Sequence, residues 1–146
     1  MSMSTTFPTS ELAKRLKGVG ILGALSQSQL RTLAKWAEVV DFDAGETVVK
    51  QGDKGDGLYL ILEGAAEVRR GSQTLARLGS GQFFGEMSLF DNLPRSADVV
   101  AARASKMAVL QKWEFWGFAA SQPGVLLSIL EEMSHRLRAA DNALAS

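Results

Sequence analysis

The chain has 146 residues, 16 basic and 16 acidic side chains, and 46% hydrophobic residues, which is typical of one globular domain. Its zero net charge provides no general attraction for nucleic acid or for an anionic membrane surface, so neither is expected as a partner. Cysteine is absent, which excludes disulfides, thiol catalysis and zinc–thiolate sites. Because no secretory signal and no apolar run of roughly 20 residues is found, a cytoplasmic location is predicted.

The first part of the chain is predicted to be helical. Residues 1–9 are expected to form a flexible tail, and N-terminal helices are expected over residues 10–37. The glycine-rich stretch GVGILGAL interrupts these helices. Ser26 and Gln29 have the spacing of a capping box, in which each side chain accepts a hydrogen bond from the other's backbone N–H. A helix is therefore predicted to begin at Ser26.

The middle of the chain, residues 38–111, is predicted to consist of short strands. Runs such as ETVVK, GLYLILE and AAEVRR alternate with glycine-centred turns. Strands that recur about every 8–12 residues with turns between them are typical of a sandwich or barrel. The continuous apolar run LYLIL indicates a strand that is covered on both faces.

Residues 112–145 are predicted to form C-terminal helices, and Pro123 would stand in the first turn of the last one. Two interpretations of this last helix stay open. It packs only on its own domain, or it also pairs with a second copy of the chain. The second interpretation depends on a coiled-coil-like seam with steps of four and three residues, although it runs for under three heptads. The seam consists of Leu126, Leu130, Met133, Leu137, Ala140 and Leu144.

The segment FFGEMSLFDNLPRSA, residues 83–97, fits neither a regular strand nor a regular helix. Arg95 offers a planar fork of donors that matches phosphate oxygens, and Gly85 allows a ligand to approach the backbone closely. The ionised Glu86 only accepts hydrogen bonds, so it suits a hydroxyl group. A cation beside a hydroxyl acceptor fits a sugar phosphate. The alternative is a simple Glu86–Arg95 ion pair that closes a loop.

This segment resembles the phosphate-binding cassette of the cyclic nucleotide-binding domain family, whose usual form is F-G-E-(L/I/M)-(A/S)-L, a short spacer and P-R-(A/S/T)-A. The upstream stretch FDAGETVVKQGDKGDGLYLILEGAAEV is similar to the first strands of that family. The resemblance covers residues 12–144. It implies a mainly β fold over residues 10–146, in which an eight-stranded antiparallel β-roll (a jelly-roll-like double-stranded β-helix) has helices before it and a long helix after it.

The resemblance also implies which residues bind the ligand. Glu86 would accept the ribose 2′-hydroxyl, and Arg95 would hold the cyclic phosphate. Gly85, Ser96 and Ala97 would donate to the phosphate or the ribose, and the last helix would close over the base. The wider set of expected ligand contacts is Val68, Leu75, Leu78, Phe84, Met87, Ser88 and Arg138.

The function implied is that of a sensor and not of an enzyme, with no catalytic residue, metal or cofactor. Its ligand would be a cyclic mononucleotide. Because Ser96 stands where threonine is commonly linked to cGMP preference, cAMP is favoured and cGMP comes second. Binding would be transmitted by rearrangement of the cassette and the C-terminal helix, to an unknown effector protein or within a homodimer joined through that helix. The alternative is a nucleotide-independent interaction or dimerisation domain with the same fold.

Overall fold

The computed structural model describes residues 2–3, 7–122 and 124–145, and three helices precede the strand-rich middle of the chain. They are α1 (Thr9–Lys17), a 3₁₀ helix (Gly20–Ala24) and α2 (Gln27–Ala34). The capping box of α2 is confirmed, because Ser26 Oγ accepts from the backbone N–H of Gln29 at 3.1 Å and Gln29 Oε1 accepts from that of Ser26 at 2.9 Å. The apolar faces of these helices are buried against the nearer sheet.

Strands form two antiparallel sheets, and within the described residues eight of them lie between positions 38 and 111. The strands are β1 (Ser2–Met3), β2 (Glu38–Phe42), β3 (Thr47–Val49), β4 (Gly57–Glu63), β5 (Ala65–Arg70), β6 (Gln73–Gly79), β7 (Phe83–Phe84), β8 (Asp98–Ala101) and β9 (Ser105–Gln111). One sheet has the order β1-β2-β9-β4-β7 and the other the order β3-β8-β5-β6. The predicted eight-stranded roll is confirmed, and a two-residue strand is added at one edge.

The start of the chain differs from the prediction of a tail over residues 1–9. β1 pairs with β2, and α1 begins already at Thr9. The physical reason is that an open sheet edge presents unpaired backbone groups, which even a two-residue segment can satisfy. The predictions for residues 1 and 4–6, and for Pro123 as a first-turn residue, lie outside the described residues.

Two apolar cores lie on opposite sides of β4. Leu58, Leu60 and Leu62 point to the core shared with the helices, whereas Ile61 points to the core between the two sheets. The alternation follows from the period of two along a strand. The prediction that the LYLIL strand is covered on both faces is therefore confirmed.

The chain ends with α3 (Lys112–Ser121) and α4 (Val125–Ala145). Val125 and Ile129 of α4 are buried against the core, whereas Leu130 and Leu137 of the predicted seam are 61% and 65% exposed. Among the described residues, no helix is both long enough and apolar enough to cross a membrane.

Candidate functional site

The cassette segment begins where β7 ends and turns at once into a short 3₁₀ helix, Glu86–Leu89. Gly85 makes this turn with a φ of 82°, in the left-handed region that L side chains rarely adopt. A Cβ at this position would lie 2.4 Å from the carbonyl oxygen of Gly57 and 2.5 Å from Nη1 of Arg95. Glycine therefore allows the backbone to lie directly against the guanidinium group.

Contacts with the start of β4 and the turn before it hold Arg95. Its side chain is 9% exposed, and Nη2 donates to the carbonyl oxygen of Gly57 at 3.0 Å and lies 3.5 Å from Oδ1 of Asp56. The backbone N–H of Arg95 donates to the carbonyl oxygen of Asp53 at 2.7 Å, and its carbonyl accepts from the N–H of Gly52 at 2.9 Å. Within the described chain, Nε and Nη1 donate to no protein atom, so both remain available to an anion.

The Glu86 carboxylate contacts the first 3₁₀ helix. Its Oε1 accepts a hydrogen bond from the backbone N–H of Ile21 at 2.7 Å. A Cβ on Gly20 would lie 1.9 Å from the same oxygen, so glycine is required for this close approach. Glu86 forms no ion pair with Arg95 in the described part of the chain. The alternative of a loop-closing ion pair is therefore wrong.

A cavity of about 410 Å³ lies between the cassette and the four-stranded sheet, a size typical of small-molecule sites. Most of the residues predicted to bind ligand line it. These are Val68, Phe84, Gly85, Glu86, Met87, Ser88, Arg95, Ser96 and Ala97.

Three residues predicted to bind ligand do not line this cavity. Leu78 packs between the sheets, and Leu75 is 41% exposed on β6. The pairing of β5 with β6 changes register between Val68 and Arg69, so Leu75 is the extra residue of a bulge and has no partner on β5. Arg138 lies on the exposed part of α4.

Part of the apolar wall of the cavity was not predicted from the sequence. Val49 and Val99 are cross-strand partners, and Val99 is also opposite Val68, so three neighbouring strands place one valine each at the cavity. Val99 lies on the buried face of β8, but the sequence of this strand, DVVA, has adjacent valines and offers no alternation that could have identified Val99. Other lining residues outside the predicted set are Phe83, Asp91, Leu93 and Pro94.

Further contacts connect the cassette to its surroundings. Arg70 Nε donates to the carbonyl oxygen of Ser96 at 3.2 Å. On the other side, Lys112 Nζ donates to the carbonyl oxygen of Asp91 at 2.6 Å, and Trp116 Nε1 donates to that of Leu89 at 2.9 Å. α3 is therefore joined to the cassette.

No group of three or more His, Asp or Glu side chains that could hold a metal occurs among the described residues.

The fold and this cavity define a β-roll domain with a cavity beside a buried arginine, and comparison with known proteins shows its family. The family model described as "Cyclic nucleotide-binding domain" matches residues 39–122. The chain belongs to the cyclic nucleotide-binding domain family, so the resemblance stated from the sequence is confirmed.

Similar proteins are regulatory ones. A cAMP-dependent protein kinase regulatory subunit from Mycosarcoma maydis is 35% identical over 102 residues, which is 67% of this chain and 19% of that protein. A CRP-like cAMP-activated global transcriptional regulator from Mycobacterium tuberculosis is 29% identical over 135 residues, 89% of this chain and 60% of that protein. The chain therefore spans about a fifth of the first relative and less than two thirds of the second.

Solved structures agree with the fold. The N-terminal domain of a transcriptional regulator from Streptomyces coelicolor A3(2) has a TM-score of 0.82 and 30% identity, with 89% of this chain and 94% of that one covered. The regulatory domain of Toxoplasma gondii PKA, crystallised with cAMP, has a TM-score of 0.68 and 26% identity, with 87% of this chain and 50% of that one covered.

Proposed function

We propose that this domain binds a cyclic mononucleotide reversibly, with cAMP preferred over cGMP, and that it acts as a sensor without chemistry of its own. The observation that supports this most is the preoriented Arg95, whose Nε and Nη1 stay available beside a cavity of suitable size. The relatives named for cAMP support the choice of ligand. The cytoplasmic location stays a prediction.

In this proposal each part of the cavity has a role that fits its chemistry. Arg95 would donate to the exocyclic phosphate oxygens through Nε and Nη1. Because Oε1 of Glu86 already accepts from Ile21, its Oε2 would accept the ribose 2′-hydroxyl. Gly85, Ser96 and Ala97 would donate to the phosphate or the sugar, and the valine wall of β3, β5 and β8 would contact the apolar faces of the ligand.

Calorimetric titration of nucleotide-stripped protein with cAMP, cGMP and a cyclic dinucleotide tests this function. Wild type is expected to bind cAMP most tightly. Arg95→Ala should weaken binding at least tenfold, because one charge-assisted hydrogen bond is worth about 1.5–3 kcal/mol. Arg77→Ala is a matched control, since Arg77 is 80% exposed and pairs with Glu67. Equal affinity in the Arg95 variant and wild type would contradict the site.

The same contacts support a route by which binding is transmitted. Glu86 is joined to the first 3₁₀ helix through Ile21, and that helix packs against α4. A hydroxyl that binds Glu86 would therefore change the position of the 3₁₀ helix and the start of α4. Hydrogen exchange of the Ile21 amide and of residues 125–133 is expected to change with cAMP and to change less with 2′-deoxy-cAMP. Identical responses to both nucleotides would exclude Glu86 from transmission.

A second candidate function, self-association through α4, is favoured by the exposure of the leucine seam. Val125 and Ile129 serve the domain core, which leaves Leu130 and Leu137 on a different face of the helix. In a parallel pair of α4 helices, Arg136 of one copy would stand at a g position opposite Asp141 at the e position of the other. This charge pairing favours a second copy as the partner.

Sedimentation velocity tests self-association. Leu137→Glu is expected to convert a dimer into a monomer. His135→Glu is the matched control, because it adds the same charge on the side of α4 away from the seam. A wild-type chain that is monomeric at high concentration, with and without cAMP, would exclude this candidate.

A further inference from the structure

The single tyrosine of the chain, Tyr59, lies beside both ends of the cassette. Its ring is parallel to that of Phe84, with centroids 5.0 Å apart and an interplanar angle of 1°. The two residues are also cross-strand partners between β4 and β7. The guanidinium carbon of Arg95 lies 5.8 Å from the centroid of the Tyr59 ring. One ring therefore contacts the residue before Gly85 and the cation at the other end of the cassette.

The other side-chain contacts of Arg95 involve only one nitrogen of the guanidinium group, Nη2. The Asp56 side chain is 75% exposed and its Oδ1 is 3.5 Å away, so water screens most of its attraction. The Gly57 carbonyl holds only Nη2. An aromatic face attracts a guanidinium group within about 6 Å and constrains its plane. The ring of the half-buried Tyr59 lies within this range of the Arg95 guanidinium carbon.

The hydroxyl group of Tyr59 makes no hydrogen bond with any described residue, whereas the ring makes both contacts. The position accordingly needs an aromatic face and not a phenol.

We propose that Tyr59 is a positioning residue for nucleotide binding, whose ring holds the Arg95 guanidinium in the orientation that receives the cyclic phosphate and couples it to Phe84. This inference rests on the proposed function for its effect on affinity. The contact between Tyr59 and Arg95 itself does not depend on any ligand.

The first experiment uses the nucleotide-free protein and therefore tests the contact by itself. Burial raises the pKa of the Tyr59 phenol, the Asp56 carboxylate raises it further, and the Arg95 charge lowers it. Because the chain has one tyrosine, ultraviolet absorbance during an alkaline titration reports this group alone. Arg95→Met is expected to raise the pKa of Tyr59, and Arg77→Met is expected to leave it unchanged. An unchanged titration in Arg95→Met would overturn the proposal.

The second experiment measures cAMP affinity of Tyr59→Phe and Tyr59→Leu. The phenylalanine variant is expected to bind within about twofold of wild type. The leucine variant is expected to bind roughly threefold to thirtyfold more weakly, the range of one cation–π contact. Urea unfolding of both variants checks that the leucine variant is folded at the temperature of the titration. If it is not, Tyr59→Met at lower temperature replaces it. Equal losses in the phenylalanine and leucine variants, or no loss in either, would overturn the role of the ring.

The third measurement tests whether the Tyr59 ring senses a ligand held at Arg95. A bound cyclic phosphate would offset the charge of Arg95, so saturating cAMP is expected to raise the pKa of Tyr59 above that of the free protein. An unchanged titration on binding would count against the proposal, because it would show that the ring is not beside the charge that receives the phosphate. If wild type binds no cyclic nucleotide at all, the proposed function fails, while the nucleotide-free titration still decides whether Tyr59 and Arg95 interact.

Discussion

Replacing Gly85 by alanine tests the way in which the cassette backbone lies over Arg95. Both atoms that the new Cβ would meet, the Gly57 carbonyl oxygen at 2.4 Å and Arg95 Nη1 at 2.5 Å, are closer than real Cβ contacts allow. The carbonyl has little freedom to move, because a Cβ on Gly57 would itself lie 2.5 Å from the carbonyl oxygen of Leu110 in β9. The Arg95 guanidinium group is therefore expected to move away from its present position.

The free-energy effect has two parts that a control can separate. A left-handed alanine costs about 1–2 kcal/mol relative to glycine. Gly81 has a φ of 87° and nothing within 4 Å of an added Cβ, so Gly81→Ala measures this conformational part alone. Overpacking adds about 1–3 kcal/mol, so Gly85→Ala should lower the free energy of unfolding by about 2–5 kcal/mol.

The two variants, Gly85→Ala and Gly81→Ala, are expected to differ more in cAMP affinity than in stability. Displacing the guanidinium removes at least one charge-assisted hydrogen bond, which corresponds to a loss of about tenfold to a hundredfold in cAMP affinity. Gly81→Ala should bind as wild type does. Urea unfolding and calorimetric titration of both variants measure the two effects. Equal stability and equal affinity in the two variants would refute the reasoning about Arg95.

Three further changes test other parts of the structure. Gly20→Ala places a Cβ 1.9 Å from Oε1 of Glu86, which should displace the carboxylate and speed hydrogen exchange of the Ile21 amide. An unchanged exchange rate would contradict the hydrogen bond between Ile21 and Glu86. Ser26→Ala removes the cap of α2 and should lower the free energy of unfolding by about 1 kcal/mol in urea, whereas no loss would mean that the cap is dispensable. Burial raises the pKa of Glu114, so the folded state holds its proton more tightly and stability falls as pH rises from the unfolded to the folded pKa. Glu114→Gln should therefore gain stability relative to wild type across that window, and a difference independent of pH would contradict this sign.

The sequence predicted well those features that depend on neighbours along the chain. The capping box of α2 needs only Ser26 and a residue three positions later. The continuous apolar run LYLIL in β4 predicts a strand with two buried faces. The cassette motif joins Gly85, Glu86 and Arg95 within eleven residues, and its short length leaves few ways to fold.

Features that depend on strand register were predicted less well. Leu75 and Leu78 were expected at the site because the family resemblance implied an apolar wall that includes them. The bulge between β5 and β6 decides where Leu75 points, whereas Leu78 keeps a regular register and packs in the core between the sheets without lining the cavity. Val49 and Val99 also reach the cavity through strand pairing, because β3 and β8 are neighbours in the sheet although they are far apart in the chain.

The amino-acid sequence by itself determined the family, the order of helices and strands, and the chemical groups offered to a ligand, because these follow from short-range pattern and residue type. Only the tertiary structure decided how those groups are held. The contact between Glu86 and Ile21 joins residues 65 positions apart. The ring of Tyr59 meets Arg95 only because β4 lies beside the cassette. Such contacts depend on how the whole chain closes upon itself, which no local pattern encodes.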